Sequence, residues 1–340
     1  MAEGQSPSRA MDARERLQQL TFSFAPTRVL MTALQLDLFS HIAAGHRTAA
    51  DIARAAGANE RGTRMVLDAL AGLELLTKGG GQYELTPVAR QYLARGSSDY
   101  MGSMLESERL WEAWAHLTEV VKSGKPFRNV TEQKDAEDFF KILVRSLHVT
   151  NRPLAQRATE ALGAGTTRRG LRVLDIGCGS GVWGISIAEA DEEARVTALD
   201  FPKVLEITRE YAGRHKVAGR FEYLPGDLRE ADLGENRYDV AVLGNIAHSE
   251  GERSSRALFR RIHRALRPGG RLAIADMIPN DERTGPPFAL IFAINMLLNT
   301  EEGDTFTLAE YKAWLTEAGF ARVETADIGS HSPLLIAHRA

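Results

Sequence analysis

The sequence predicts an α/β fold, with a Rossmann-like parallel sheet in the C-terminal half behind an all-α and winged-helix N-terminal domain. Three observations predict it. Between Leu171 and Ala190 a short apolar run ends in glycines at alternate positions and leads into a helix-like run. Downstream, strand-like apolar runs alternate with helical patterns. Upstream, two capped helices precede a glycine-centred hairpin. A length of 340 residues agrees with two domains.

The composition limits the classes of function. With 44% hydrophobic and 26% charged residues, the chain is typical of a globular protein. Its net charge of −3 provides no overall attraction to nucleic acid or an anionic membrane, and no apolar run approaches the ~20 residues of a membrane span. The one cysteine, Cys178, excludes an internal disulfide and fits the cytoplasm, our expected location. The N-terminus lacks the apolar core of a secretory signal, so we expect a disordered lead-in at 1–14.

The N-terminal domain, expected at 15–96, begins with a strongly apolar helical region. Over 17–44 the apolar residues recur at helical spacing, interrupted at Pro26. Within this region, the segment 28–43 predicts one amphipathic helix.

The next segment predicts a winged helix. Thr48 can cap a helix that Gly57 ends, and Asn59 can cap a second helix that runs to Leu76. The stretch LTKGGGQYELT then predicts a hairpin with its glycines at the turn.

Winged helices commonly bind DNA, but the charges here do not favour that role. The second helix carries a mixed set of side chains: Glu60, Arg61, Arg64, Asp68 and Glu74. The hairpin adds only Lys78, whereas phosphate contacts need clustered positive charge. The helices of 17–44 are more apolar than a small core requires, so we expect a dimerisation module and a homodimer rather than a nucleic-acid partner.

The segment 97–165 has helical patterns and is rich in aromatic residues. Such rings are ordinary core residues, but some can line a pocket for a planar substrate. We expect Trp111, Phe140 and His148 to contribute to such a pocket.

The C-terminal domain, expected at 166–340, places a polar residue at the end of each of five predicted parallel strands. These residues are Asp175, Asp200, Asp227, His248 and Asp276. Ligands of open α/β sheets bind beyond the carboxyl ends of the strands, so the five residues predict a site there. A late amphipathic helix precedes two short runs, ARVETADI and PLLIAHR, which predict an antiparallel pair at the sheet edge.

The glycine turn itself favours a particular kind of ligand. The dinucleotide pattern requires a third glycine at position 182, which is Val182 here. The sequence VLDIGCGSG, with Asp175 just before the glycines, resembles the first motif of class I S-adenosylmethionine-dependent methyltransferases. In this interpretation Asp200 accepts the ribose hydroxyls, Asp227 accepts from the adenine amine, and Leu228 flanks the ring. Asp175 orients the glycine amides or meets the ligand's ammonium group.

From about Leu17 to His338 the chain resembles the two-domain S-adenosylmethionine-dependent O-methyltransferases, which include plant caffeate-type, hydroxyindole-type and bacterial polyketide-tailoring enzymes. The resemblance implies S-adenosylmethionine as cofactor and a small-molecule acceptor. In that family a histidine after the fourth strand is the general base, and an acidic residue after the fifth orients it. These roles fall on His248 and Asp276.

The chain departs from the family pattern around this histidine. The aspartate that usually follows it is Ser249, and the lysine often found before it is replaced by Gly244 or Asn245. Plant members also have a second acidic residue before the late helix, where Asp304 and Thr305 are the nearest candidates here.

Two sets of residues complete the predicted site. The cofactor set is Asp175, Gly177, Gly179, Gly181, Asp200, Phe201, Gly226, Asp227, Leu228 and Asn245. The acceptor set is Trp111, Phe140, His148, Met277, Phe292, Asn295 and Met296. Met277 and Met296 can clamp an aromatic ring, although plain core packing is the alternative. No metal is predicted, because no His, Cys and Asp cluster has ligand spacing.

The sequence leaves other activities open. The same fold can methylate nitrogen or carbon, or use the cofactor for non-methylating chemistry. A winged-helix regulator that senses S-adenosylmethionine is a further alternative. A nicotinamide oxidoreductase is disfavoured by Val182.

Overall fold

The fold is described from a computed structural model, whose described residues are 12–128 and 136–340, without the side chains of 136–141. The chain divides between Ser107 and Glu108 into two compact units. The predicted division into 1–14, 15–96, 97–165 and 166–340 stays a prediction, and residues 1–11 of the predicted lead-in lie outside the described residues. Within the described residues, every helix is too short or too polar to span a lipid bilayer.

The first unit contains the predicted winged helix. Its elements are α1 (Ala13–Phe22), α2 (Phe24–Gln35), α3 (Leu38–Ala43), α4 (Ala49–Ala56), α5 (Glu60–Gly72), β1 (Leu76–Gly79), β2 (Gln82–Leu85), α6 (Pro87–Tyr92) and α7 (Gly102–Leu105). Thr48 caps α4 and Asn59 caps α5 through their side-chain oxygens. Strands β1 and β2 form an antiparallel hairpin whose turn contains Gly80 and Gly81. The predicted caps and hairpin are therefore confirmed.

Three predicted helix boundaries in this unit are wrong. Helix α5 ends at Gly72 rather than Leu76, because Leu76 begins the hairpin. The segment 28–43 is not one helix, since Asp37 adopts a left-handed conformation (φ 53°) between α2 and α3. Pro26 interrupts nothing, because it lies in the first turn of α2, where its missing N–H leaves no helical hydrogen bond unmade.

The second unit is a sheet covered by helices. Its elements are α8 (Glu108–Ala115), α9 (Leu117–Ser123), α10 (Ala136–Ala161), β3 (Arg172–Ile176), α11 (Val182–Ala190), β4 (Arg195–Asp200), α12 (Pro202–Arg214), the 3₁₀ turn Ala218–Arg220, β5 (Phe221–Pro225), β6 (Tyr238–Gly244), α13 (Ala247–Ala265), β7 (Leu266–Ala275), α14 (Pro287–Asn299), α15 (Leu308–Glu317), β8 (Arg322–Ala326) and β9 (Leu334–His338).

The strand order is β5-β4-β3-β6-β7-β9-β8. Strands β3 to β7 pair in parallel, and β9 runs antiparallel to both β7 and β8, so the predicted antiparallel pair at the edge is confirmed. The chain moves outward from β3 to β5 and then returns to the other side of β3 for β6. The sheet therefore has its topological switch point between β3 and β6, where ligands of this architecture bind.

Strand β3 shows how the core is divided between two faces. Val173 packs into a cluster with residues of α10, α11 and α12, while Leu174 packs into a second cluster with residues of α13 and α15. This alternation is the period of two that a strand imposes on its side chains. It explains why the apolar run of β3 is nearly continuous, since helices cover both faces.

One boundary of this unit bears on the site. Helix α13 begins at Ala247, directly after the turn that follows β6, and contains Gly251 in a non-helical conformation. His248 therefore does not end strand β6, as predicted, but lies in the first turn of α13.

Candidate active site

The turn between β3 and α11 is built from glycines with left-handed backbone. Gly177, Gly179 and Gly181 have φ angles of 59°, 55° and 75°, a region that strains other residues. A Cβ atom added to Gly177 would lie 2.5 Å from the Ile246 side chain and 3.7 Å from that of Leu228. These two side chains thus border a cradle over the turn that any residue larger than glycine would fill.

Asp200 ends β4 and holds this turn. Its Oδ2 accepts the N–H of Gly179 at 2.9 Å, and its Oδ1 accepts the N–H of Phe201 at 2.7 Å. Burial raises the pKa of Asp200 to about 6, although the two hydrogen bonds oppose the shift. Since a carboxylate offers about four acceptor sites, Asp200 keeps acceptor capacity for ligand hydroxyls.

Asp175 is buried within β3, on the side of α11. Its Oδ2 accepts the N–H of Gly184 at 2.9 Å, so it holds the first turns of α11 rather than the amides of the three glycines. Its Oδ1 is buried and has no hydrogen-bond partner among the described residues. Burial raises the pKa of Asp175 to about 7, against the Gly184 hydrogen bond. An orphaned buried oxygen of this kind calls for a partner such as water or a ligand cation.

The remaining predicted cofactor residues directly follow strands β4, β5 and β6: Phe201, Gly226, Asp227, Leu228 and Asn245. The N–H of Gly226 donates to the Asp200 carbonyl at 3.0 Å, which joins the ends of β4 and β5. The Asp227 carboxylate accepts the N–H of Arg229 at 2.8 Å. Parallel pairing thus brings the whole predicted cofactor set to the carboxyl ends of the strands, around the switch point. The glycine cradle and the acceptor oxygens fit an adenosyl ligand with a cationic amino group.

His248 and Asp276 form a buried pair at the same edge. Nδ1 of His248 lies 2.5 Å from Oδ1 of Asp276, and the main-chain N–H of His248 donates to Oδ2 at 3.2 Å. Their side chains are 10% and 1% exposed. Burial acts to raise the pKa of Asp276, but the adjacent imidazole and the hydrogen bonds from His248, Met277 and Tyr311 outweigh it, so the pKa is lowered. A neutral imidazole that donates through Nδ1 carries its lone pair on Nε2.

Tyr311 is a residue of the site that the sequence does not predict. This residue of α15 donates its hydroxyl to Oδ2 of Asp276 at 2.9 Å. In the sequence it belongs to the apolar face of an amphipathic helix, 35 residues beyond its partner. No local pattern could have marked it, because only the packing of α15 against the sheet brings the two together.

Asp304 and Cys178, which the sequence also singled out, lie near the site but contact it in other ways than through a reactive side chain. Asp304 reaches His248 through its main chain, whose N–H donates to the His248 carbonyl at 2.9 Å, while its carboxylate lies 3.8 Å from Arg283. Cys178 is buried, with Sγ 3.5 Å from Oγ1 of Thr208. Burial raises the pKa of its thiol well above the ordinary value, so the thiol stays protonated.

The predicted acceptor residues divide into two groups, of which the first lies beside His248. The ring of Phe292 meets the His248 ring edge-on, with 5.0 Å between centroids, and stacks on Phe288 at 6.1 Å. Met277 directly follows Asp276 and donates its N–H to that carboxylate. Further along α14, Met296 is buried, and the Asn295 side chain accepts from Asn299 at 3.3 Å.

The second group lies on the helices before the sheet. Trp111 belongs to α8, which packs against α14. The side chain of Phe140 lies outside the described residues. His148 lies against the glycine turn, with Nδ1 2.9 Å from Oγ of Ser180 and its ring 3.9 Å from that of Tyr211 on α12. The structure therefore places His148 against the glycine turn, beside the predicted cofactor residues rather than beside His248.

Metal ligands do not come together in the described part of the chain: no group of three His, Cys, Asp or Glu side chains there could hold an ion.

Comparison with known proteins identifies the family. Residues 114–321 match the model of an O-methyltransferase domain, and residues 18–95 match that of an O-methyltransferase dimerisation domain. The chain belongs to this O-methyltransferase family. The enzyme is therefore an S-adenosylmethionine-dependent O-methyltransferase, as the resemblance implied, and the family decides between the activities that the sequence left open.

Individual relatives cover nearly the whole enzyme. It is 30% identical to a tetracenomycin polyketide synthesis 8-O-methyl transferase of Streptomyces glaucescens, over 94% of this chain and 95% of that one. It is also 30% identical to the acetylserotonin O-methyltransferase of Mus musculus, over 95% of this chain and 88% of that one.

Solved structures share the fold. An O-methyltransferase family protein from Burkholderia thailandensis superposes with a TM-score of 0.83 at 27% identity, over 97% of this chain and 99% of that one. Human N-acetylserotonin methyltransferase, solved with S-adenosylmethionine, superposes with a TM-score of 0.84 at 23% identity, over 98% of this chain and 99% of that one. The predicted fold class is thus confirmed.

Proposed function

We propose that the enzyme methylates a hydroxyl group of an aromatic or polyketide-like small molecule, with His248 as the general base. The observation that carries the proposal is the buried hydrogen bond between His248 and Asp276 at the switch point of the sheet. It holds the imidazole in the tautomer whose Nε2 can accept a proton.

Bound S-adenosylmethionine supplies an electrophilic methyl group on its sulfonium. Asp200 and Asp227 would hold the ribose and the adenine, and the glycine turn with Ile246 and Leu228 would form the floor beneath. The unpartnered Oδ1 of Asp175 is the candidate partner for the ligand's ammonium group. Holding the two reactants in line is the larger part of such catalysis, since it replaces an encounter in solution.

The protein's second task is to remove a proton. A phenol has a pKa of about 10 and is protonated at neutral pH. Nε2 of His248 would accept this proton as the methyl carbon bonds to the acceptor oxygen and its bond to the sulfonium sulfur breaks, which leaves a neutral thioether. The imidazolium that results is stabilised by the Asp276 carboxylate at 2.5 Å. General bases of this kind contribute about 10²–10⁴-fold to turnover.

The acceptor class is inferred from the side chains around the base. Phe292 and Phe288 form a short stack that begins at the His248 ring, and Met277 follows Asp276. Rings and thioethers of this kind favour a planar aromatic acceptor. The relative named for tetracenomycin polyketide synthesis supports the same class, as does a 3-hydroxy-5-methyl-1-naphthoate 3-O-methyltransferase of Streptomyces sahachiroi that is 30% identical to this chain.

We further propose a homodimer through the first unit. Helix α1 buries none of its own residues, and Leu20 is 71% exposed. Other large apolar side chains on α1 and α2 are also exposed: Leu17, Phe22 and Phe24. An apolar face of this kind is typical of a protein interface. The match to a dimerisation domain over 18–95 supports this assignment.

Methyl transfer to a panel of hydroxylated aromatic acids and polycyclic phenols tests the function, with the matching amines as negative substrates. His248→Asn should lower turnover by about 10²–10⁴-fold and leave cofactor affinity nearly unchanged. His263→Asn is the matched control, because it changes a histidine of the same helix that packs on Phe320 instead. Undiminished turnover in the His248 variant would refute the assignment.

A further inference from the structure

The hydroxyl of Tyr311 is buried beside the catalytic pair. The side chain is fully buried, and its ring packs against those of Phe306 and Trp314, with centroids 6.2 Å and 5.8 Å away. Its hydroxyl donates to Oδ2 of Asp276 at 2.9 Å. Burial and the charge of Asp276 raise the pKa of Tyr311 well above its ordinary value. The phenol therefore stays protonated and remains a donor.

This hydrogen bond completes the set of donors around Asp276. Oδ1 accepts from Nδ1 of His248 at 2.5 Å and from the N–H of Met277 at 2.8 Å. Oδ2 accepts from the N–H of His248 at 3.2 Å and from Tyr311 at 2.9 Å. Each oxygen thus has one main-chain and one side-chain donor, so the carboxylate cannot rotate without breaking bonds on both sides.

We propose that Tyr311 is a positioning residue for the reaction, which acts through Asp276 to set the orientation and the proton affinity of His248. The inference rests on the proposed role of His248 as base. Tyr311 draws part of the carboxylate charge towards Oδ2, away from the atom that binds Nδ1. Without it, the carboxylate charge falls more fully on the imidazole and favours its protonated form.

The other charged side chains near His248 and Asp276 form ion pairs with each other rather than with these two residues. The carboxylates of Asp304 and Glu310 lie near Arg283, at 3.8 Å and 3.0 Å. Helix α14 presents the uncharged ring of Phe292 to His248. Tyr311 and Asp276 are therefore the titratable side chains whose described hydrogen bonds lead to the imidazole.

The chain offers a matched control. The hydroxyl of Tyr238, on β6, is also buried but has no hydrogen-bond partner among the described residues. Tyr311→Phe and Tyr238→Phe each remove one buried hydroxyl from the same unit. Only the first changes the donors of Asp276.

The test is the pH dependence of kcat and kcat/KM for the full-length enzyme with S-adenosylmethionine and an accepted phenol. Tyr311→Phe should lower kcat about tenfold and move the acid limb of the kcat/KM profile upward by about half a pH unit. Acceptor KM and cofactor affinity should stay within about twofold of the wild type. Tyr238→Phe should leave the profile in place.

Nitrogen-15 spectra of histidine-labelled enzyme give a second measurement that does not depend on turnover. The His248 signal, assigned by its loss in His248→Asn, should titrate at higher pH in Tyr311→Phe than in the wild type. An unshifted acid limb and an unshifted His248 titration in Tyr311→Phe, with His248→Asn inactive, would overturn the role of Tyr311 alone. Full activity of His248→Asn would instead overturn the proposed base.

Discussion

Nδ1 of His248 lies 2.5 Å from Oδ1 of Asp276, although 28 residues separate the two along the chain. The bond joins the first turn of α13 to the end of β7, and both side chains are nearly excluded from solvent. A carboxylate in this position selects one imidazole tautomer and stabilises its protonated form.

Asp276→Asn should therefore lower turnover without weakening the binding of the cofactor. The amide has nearly the shape of the carboxylate, but it carries no charge, and its NH₂ group must face one of the donors that surround it. We expect kcat to fall by about 10²–10⁴-fold at unchanged cofactor affinity, measured by steady-state kinetics and calorimetry. Asp281→Asn, on the exposed segment after β7, is the control and should behave as the wild type. Near-normal kcat in Asp276→Asn would exclude a role for the carboxylate.

The buried carboxyl of Asp175 predicts a pH dependence of stability. Its pKa is about 7 in the fold but close to 4 in an unfolded chain. Between these values the unfolded state loses the proton while the folded state keeps it, so the free energy of unfolding should fall as pH rises from about 4 to about 7. The full difference is on the order of 4 kcal/mol.

Asp175→Asn should remove the part of the slope that Asp175 contributes and leave the part that Asp200 contributes, because burial raises the pKa of Asp200 as well. The amide can still accept from Gly184. Urea unfolding of the cofactor-free enzyme at several pH values measures how the free energy of unfolding changes with pH in the wild type and in the variant. At pH 4 the two proteins should differ least, which provides the internal control. A wild-type stability that rises over the same interval, with the variant showing the same slope, would contradict the assignment.

A change at His148 should weaken the binding of the cofactor rather than the binding of the acceptor. Its Nδ1 lies 2.9 Å from Oγ of Ser180, within the glycine turn. His148→Leu removes this bond and should weaken cofactor binding about fivefold, the equivalent of one buried hydrogen bond, with acceptor KM unchanged. Thr150→Ala, at an exposed position of the same helix, is the control. A raised acceptor KM at normal cofactor affinity would instead support the predicted place of His148 in the acceptor pocket.

The apolar face of α1 predicts the oligomeric state. Leu20→Asp puts a charge on this face and should shift the enzyme from dimer to monomer at micromolar concentration, as measured by sedimentation velocity. Gln19→Asp adds the same charge at an exposed polar position on the side of the helix away from Leu17 and should leave the dimer intact. A dimer that persists in Leu20→Asp, Leu17→Asp and Phe22→Asp alike would place the interface elsewhere.

The glycine turn and the acidic residues around it could be predicted from the sequence, because each depends on chain neighbours. A strand, three glycines and a helix follow one another at Arg172–Ala190, and Asp200 directly ends the next strand. Parallel pairing then brings these strand ends to one edge without any further information. The caps of α4 and α5 were predictable for the same reason, since each is a contact between residues three apart.

Tertiary structure decided the rest of the site. Tyr311 is hydrogen-bonded to Asp276, 35 residues away, and His148 is hydrogen-bonded to Ser180, 32 residues away. The helices that carry Tyr311 and His148 pack on opposite faces of the sheet. The period of an amphipathic helix marks which face is buried but not which polar atom that face meets. A local pattern therefore predicts the glycine turn and the acidic residues at the carboxyl ends of the strands, which we propose hold the cofactor. The hydrogen bonds that would orient the proposed base exist only because the packing of α13 and α15 brings His248 and Tyr311 to the same buried carboxylate of Asp276.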